Sequence, residues 1–194
     1  MDKFIVTGGK RLSGEIVVEA SKNSILPIIS ASLLTSEEVI INNVPEISDL
    51  FKMLEILKSI GGKVNYEPRT RRLRIKNDNI TDFEIPESLA SELRSSFFIL
   101  GPMLSRFKKG KVSYPGGCDI GSRPIDLHLF GFRELNVKVS EEYGFISCDA
   151  SSMRPSVVHL DFPSVGATEN LMMASVLVPG QTVILNPAKE PEII

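Results

Sequence analysis

The reactive side chains of this sequence gather in one loop. Residues 115–124 read Pro-Gly-Gly-Cys-Asp-Ile-Gly-Ser-Arg-Pro, placing the thiol of Cys118, the carboxylate of Asp119 and the guanidinium of Arg123 just ahead of a helical pattern. The glycines let backbone approach a ligand closely. A cysteine beside an arginine and a helix start can be held as thiolate and serve as acid or nucleophile; a small residue in a tight turn would read the same way. Lys22-Asn23 stands immediately before a helix expected from Ser24. Free N–H groups, the helix dipole and a full charge favour an anion there, although a solvated lysine beside an N-cap is the plainer account. Arg94 interrupts an apolar stretch ahead of Phe97 and Phe98, where its stem could simply cover the core. Ser164-Val165-Gly166 opens another helix, which a plain serine cap also explains. Cations at helix starts with one loop thiol suit transfer chemistry on a phosphorylated small molecule.

Other chemistries find no support. His128 and His159 lack zinc-site spacing. There is no GxGxxG after a strand, no GxxxxGK[ST] loop and no GxSxG elbow. No metal and no cofactor of the Rossmann or P-loop nucleotide type are expected. Twenty-two basic and 24 acidic side chains give a net charge of −2, which offers no broad surface for nucleic acid. The apolar run over 24–34 is broken by Pro27 and serines and is too short for a bilayer. The start, MDKFIVTGG, is unlike a signal peptide. Cys118 and Cys148 are too few for a disulfide framework, so a reducing, cytoplasmic compartment is expected. Cys148 lies in a strand pattern and reads as a core residue.

Short β-branched runs alternating with helical patterns define an α/β (α+β) protein. Strands are expected at 3–7 and 14–19 around a Gly8-Gly9 turn. A helix from Ser24 to Leu34 and a strand over 38–42 follow. Ser48 should cap a helix bearing Leu50, Met53, Leu54, Leu57 and Ile60 on one face, stopped by Gly61-Gly62. Strands at 63–66 and 72–75 close the unit. The order returns: a helix over 88–107 broken at Gly101-Pro102, a strand at 111–114, a helix over 123–135, and a hairpin of 137–139 with 145–148. A third copy begins at Ser164, where Ala174-Ser175-Val176-Leu177 answers Ala31-Ser32-Leu33-Leu34 and Val183-Ile184-Leu185-Asn186 answers Val39-Ile40-Ile41-Asn42. Repeats of roughly 70 residues point to a pseudo-symmetric array whose units bury their faces on one another. Chance likeness between short βαβ patterns is the alternative. The third unit stops after its first helix and strand, so truncation inside it is expected.

The segment 20–24 (Ala-Ser-Lys-Asn-Ser), the loop PGGCDIGSRPIDLH over 115–128 and PSVGATEN over 163–170 together resemble the UDP-N-acetylglucosamine 1-carboxyvinyltransferase family, over essentially the whole chain. The resemblance implies an inside-out α/β barrel of repeated βαβαββ units, here with the third incomplete. It assigns residues 1–20 to strands of an otherwise missing domain and 21–194 to a C-terminally truncated enolpyruvyl transferase domain. The implied reaction moves the enolpyruvyl group of phosphoenolpyruvate onto the 3′-hydroxyl of UDP-N-acetylglucosamine and releases phosphate, the step that opens peptidoglycan synthesis. By the same resemblance Cys118 is the proton donor and the target of fosfomycin, while Lys22 and Arg123 hold phosphoenolpyruvate. Asn23 and Arg94 contact the sugar nucleotide. Arg123, Pro124, Ile125, Asp126 and Leu127 receive the uridine portion, and Ser164, Val165 and Gly166 form a second part of that site. Phe162 stands where some members carry a lysine. The family's catalytic aspartate matches nothing here, so the chain by itself is expected to be inactive, with a non-catalytic UDP-sugar-binding half-domain as the alternative. Unfinished sheet edges make self-association expected.

Overall fold

The computed structural model describes residues 3–114 and 125–194. Helix α1 (Lys22–Ala31) starts two residues earlier than the expected Ser24, because Ser21 is its cap: its Oγ accepts the Ser24 N–H at 3.4 Å. Pro27 therefore sits inside the helix, where it removes one N–H from the ladder. Ile25, Leu26 and Ile29 nevertheless bury one face. A 3₁₀ turn, Ser32–Leu34, leads to β1 (Glu38–Ile41). Helix α2 (Ser48–Ser59) begins at Ser48 rather than after it, with Ile47 as the uncapped boundary residue. Leu50, Met53, Leu54, Leu57 and Ile60 are all buried, as their spacing requires. Strands β2 (Lys63–Glu67) and β3 (Arg72–Lys76) complete an antiparallel sheet of order β1-β3-β2. Leu73 and Ile75 of the central strand point inward, while Arg72, Arg74 and Lys76 lie on its outer face.

The second unit repeats this plan. Glu84 bridges Lys111 in parallel, then α3 (Glu87–Ala90), a 3₁₀ segment Arg94–Ile99, α4 (Leu100–Phe107) and β4 (Lys109–Ser113) follow. Helix α5 (Asp126–Glu134) and strands β5 (Lys138–Glu142) and β6 (Phe145–Asp149) give a sheet of order β4-β6-β5, antiparallel like the first. The third unit opens as the second does: β7 (Val157–His159), α6 (Val165–Ser175), then β8 (Val183–Leu185) parallel to β7. The internal repeat read from the letters is thus a repeat of backbone. Helices α1, α4, α5 and α6 pack on one another at the centre, and the three sheets present their outer faces to solvent.

Three expectations need correcting. Residues 3–7 and 14–19 form no strand; Phe4, Ile5, Val6, Ile16, Val17 and Val18 are almost wholly exposed. Their sequence is strand-like, but a strand exists only with a hydrogen-bonded neighbour, and no other described segment pairs with them. The single helix expected over 88–107 is three pieces, with the interruption at residues 91–93. Gly101-Pro102 is not a break, because Pro102 falls in the first turn of α4, where its missing N–H costs nothing. The start of the helix expected from Arg123 lies outside the described residues.

Candidate functional site

A cleft of about 560 Å³ opens where the first turn of α1, the 3₁₀ segment, the start of α5, the N-terminus of α6 and residues 190–192 converge. Lys22, Asn23, Arg94, Ile125, Ser164, Val165 and Gly166 all line it. These residues come from segments up to 144 positions apart in the chain, counted from Lys22 to Gly166. Asp126 and Leu127 do not line it: Asp126 is exposed on the first turn of α5, and Leu127 packs against the core. Cys118, Arg123 and Pro124 lie outside the described residues. Phe162, at the place where some members carry a lysine, also borders the opening and is 66% exposed.

Two helix N-termini face this space, an arrangement that favours anions. At α6, Ser164 Oγ accepts the Ala167 N–H at 3.3 Å, while its carbonyl accepts the Thr168 N–H at 3.0 Å. Gly166 follows because a side chain has little room: a Cβ there would stand 3.3 Å from both His128 Cε1 and Phe98 Cε1. At α1, Lys22 Nζ pairs with Asp49 Oδ2 at 2.5 Å, yet its side chain is 56% exposed and accessible from the cleft.

Four titratable lining residues were not proposed as site residues from the sequence: His128, Glu169, Glu190 and Glu192. His128 is buried, with its ring edge-on to Phe97 at 5.1 Å between centroids. Burial, and secondarily the charge of Arg94, push its pKa down to about 3, so the ring is neutral. Glu169 is 7% exposed, and its Oε1 has no hydrogen-bond partner. Burial first, then Glu192 and Glu190, push its carboxyl up to about 7. Glu190 likewise has a buried, unpartnered Oε2. The cleft is therefore polarised, with Lys22 and Arg94 among its cations and three carboxyl groups among its acids. No local pattern marked Glu169, which stands between Thr168 and Asn170 in a polar stretch ahead of Leu171-Met172-Met173.

Cys148 is buried in β6, and burial pushes its thiol up to about 12, which removes it as a nucleophile. Among the described residues no group of three or more His, Cys, Asp or Glu is arranged to hold a metal ion. No described helix is long and apolar enough to cross a membrane.

Repeated small sheets around the central helices α1, α4, α5 and α6 superpose on solved enolpyruvyl transferases. The enolpyruvyl transferase NikO from Streptomyces tendae superposes on 96% of this chain and 43% of its own, with a TM-score of 0.81 at 21% identity. EPSP synthase from Acinetobacter baumannii superposes on 93% of this chain and 42% of its own, with a TM-score of 0.67 at 14% identity. At the level of sequence, residues 6–194 match the EPSP synthase (3-phosphoshikimate 1-carboxyvinyltransferase) family, and the chain belongs to it. Among curated relatives, UDP-N-acetylglucosamine 1-carboxyvinyltransferase 1 of Carboxydothermus hydrogenoformans is 50% identical over the whole chain and 46% of its own length. UDP-N-acetylglucosamine 1-carboxyvinyltransferase 2 of Clostridium tetani is 49% identical over 193 residues, again 46% of its length. The chain spans about half the length of the curated relatives it matches.

Proposed function

We propose that this chain serves enolpyruvyl transfer from phosphoenolpyruvate to the 3′-hydroxyl of UDP-N-acetylglucosamine, with phosphate as the leaving group. The observation that supports this most is one cleft gathering Lys22, Asn23, Arg94, Ile125 and the 164–166 turn. Relatives near 50% identity carry that substrate in their names. In this reading Lys22 and Arg123 neutralise the phosphate and carboxylate of phosphoenolpyruvate. Asn23, Arg94, residues 123–127 and 164–166 receive the sugar nucleotide. Cys118 donates the proton to the enolpyruvyl methylene carbon and is the fosfomycin target. Such an activity belongs to peptidoglycan synthesis, hence to cell-wall growth and division, in the cytoplasm. Residues 21–194 act as the enolpyruvyl transferase domain, and 1–20, whose described residues form no strand here, become strands only when paired with a second domain.

Calorimetry of the purified chain with UDP-N-acetylglucosamine tests the reading. Saturable binding that weakens about 10-fold or more in Arg94→Ala is expected, since a charged hydrogen bond contributes about 1.5–3 kcal/mol. A folded chain that gives no heat would overturn it. With phosphoenolpyruvate added, the chain by itself is expected to release no phosphate; turnover would overturn both that expectation and the second reading, a non-catalytic UDP-sugar-binding half-domain.

A further inference from the structure

We propose that Asn170 is a positioning residue that fixes His128 as the tautomer carrying its single proton on Nε2, presented to the cleft as a neutral donor to an anionic ligand oxygen. Two partners of Asn170 have only one chemical role each. The Gly101 backbone N–H donates to Asn170 Oδ1 at 2.8 Å, and the Phe97 carbonyl accepts from Nδ2 at 3.0 Å. Both assign the same orientation to the amide. The second N–H on Nδ2 then meets His128 Nδ1 at 3.1 Å. A nitrogen facing an N–H must offer its lone pair, so Nδ1 is bare and the proton of the neutral ring is on Nε2.

The arrangement is held firmly. Asn170 is completely buried at the crossing of α4 and α6, and the absence of a side chain on Gly101 lets the helices meet there. Phe97 supplies both the accepting carbonyl and the ring against which the imidazole rests. Protonating Nδ1 would set N–H against N–H, and burial with Arg94 opposes the imidazolium further. Nε2 has no hydrogen-bond partner among the described residues. It lies beside Gly166, 3.4 Å from where a Cβ on that residue would be, on the lining of the cleft. A ring N–H with no partner among the described residues, at the wall of a ligand cleft, is a donor open to a ligand acceptor. The charged lining groups are Lys22 on α1, Arg94 on the 3₁₀ segment, Glu169 on α6, and Glu190 and Glu192. The acceptor that fits a neutral donor close to the charge of Arg94 is a phosphate oxygen of a nucleoside diphosphate sugar. That ligand class rests on the function proposed above; the tautomer does not.

Two-bond ¹H–¹⁵N NMR of ¹⁵N-histidine protein, with His159→Gln for assignment, reads the ring directly. The ligand-free chain should show His128 as the neutral Nε2–H form, unchanged between pH 8 and pH 5. Asn170→Asp places a carboxylate against Nδ1 and should move the proton to that nitrogen. UDP-N-acetylglucosamine should shift Nε2 in the wild type. His128→Gln, which keeps an N–H donor, should bind it more tightly than His128→Phe by about 10- to 100-fold. An Nδ1–H or imidazolium spectrum in the free chain would overturn the inference while leaving the nucleotide reading intact. Equal binding by the Gln and Phe variants, or a bound ligand that leaves Nε2 unmoved, would overturn the donor role. A folded wild type that binds no UDP-N-acetylglucosamine counts against the nucleotide reading, and the free-chain spectrum decides the tautomer on its own.

Discussion

Two cysteines share this chain, and opposite behaviour is expected of them. Cys148 is sealed beneath β6 with its thiol pushed up to about 12, so at pH 8 almost none is thiolate. Cys118 falls in the glycine-rich sequence 115–124, five positions before Arg123 and outside the described residues. Iodoacetamide at pH 8 should label Cys118 at least ~100-fold faster than Cys148 in the folded chain, by peptide mass spectrometry, because only thiolate reacts. Comparable rates would remove the case for a reactive loop thiol. Glu169 and His128 make a second residue-scale prediction. Glu169 rises from 4.5 to about 7 on folding, so the native state keeps a proton the unfolded chain loses, and this contribution to stability fades as pH rises through that window. His128 falls from 6.5 to about 3, so its contribution is present above pH 6.5 and lost as pH drops. Between pH 4.5 and 6.5 the two slopes oppose. Glu169→Gln removes one of them, and its unfolding free energy should rise with pH there by up to ~1.4 kcal/mol per unit relative to wild type. Urea denaturation at pH 5.0 and 6.5 checks this; parallel wild-type and variant profiles would refute it.

At the scale of elements, α4 and α6 cross where Gly101 meets the backbone and side chain of Asn170. Gly101→Ala should destabilise the fold by ~1–3 kcal/mol, the usual cost of forcing atoms into a packed contact, despite alanine's better helix propensity. A stabilised variant in urea denaturation would show the crossing to be looser than its geometry. This is also where sequence and structure part. The face of α2 was legible because Leu50, Met53, Leu54 and Leu57 recur at helical spacing, and the repeat was legible because β1 and β8 share β-branched letters in the same order. The interruption at residues 91–93 was not, since apolar spacing there continues smoothly into Phe97 and Leu100. Lys22, Arg94 and the 164–166 turn each had a plainer local account, and it was the family resemblance that joined them as a site; in the structure they line one cleft. His128 and Glu169 were not legible, because their meaning comes from α5 and α6 being laid side by side, which no local pattern encodes.

At the scale of the molecule, apolar surface is unevenly distributed. The first and second sheets have three strands each, whereas β7 and β8 pair only with each other among the described residues. Val157, Val176, Leu177, Val183 and Leu185 are exposed around them, and the segment 3–18 adds Phe4, Ile5, Ile16 and Val17. Unpaired edges beside apolar patches favour association. Static light scattering of the chain should give a mass that rises with concentration; a constant mass of 21.4 kDa into the hundreds of micromolar would contradict this.

Three neighbours on α6 have separate duties. Thr168 Oγ1 donates to the Ser164 carbonyl at 2.8 Å and accepts the Ala188 N–H at 3.0 Å, tying the chain beyond β8 to the helix. Glu169 turns to the cleft and Asn170 to the helix crossing. Adding or deleting one residue upstream within the helix would rotate all three by about 100°. Each duty would then fall to a side chain of the wrong kind at once. Over evolutionary time this stretch can therefore drift by substitution but not by insertion or deletion, and changes of length must collect in the loops at either end.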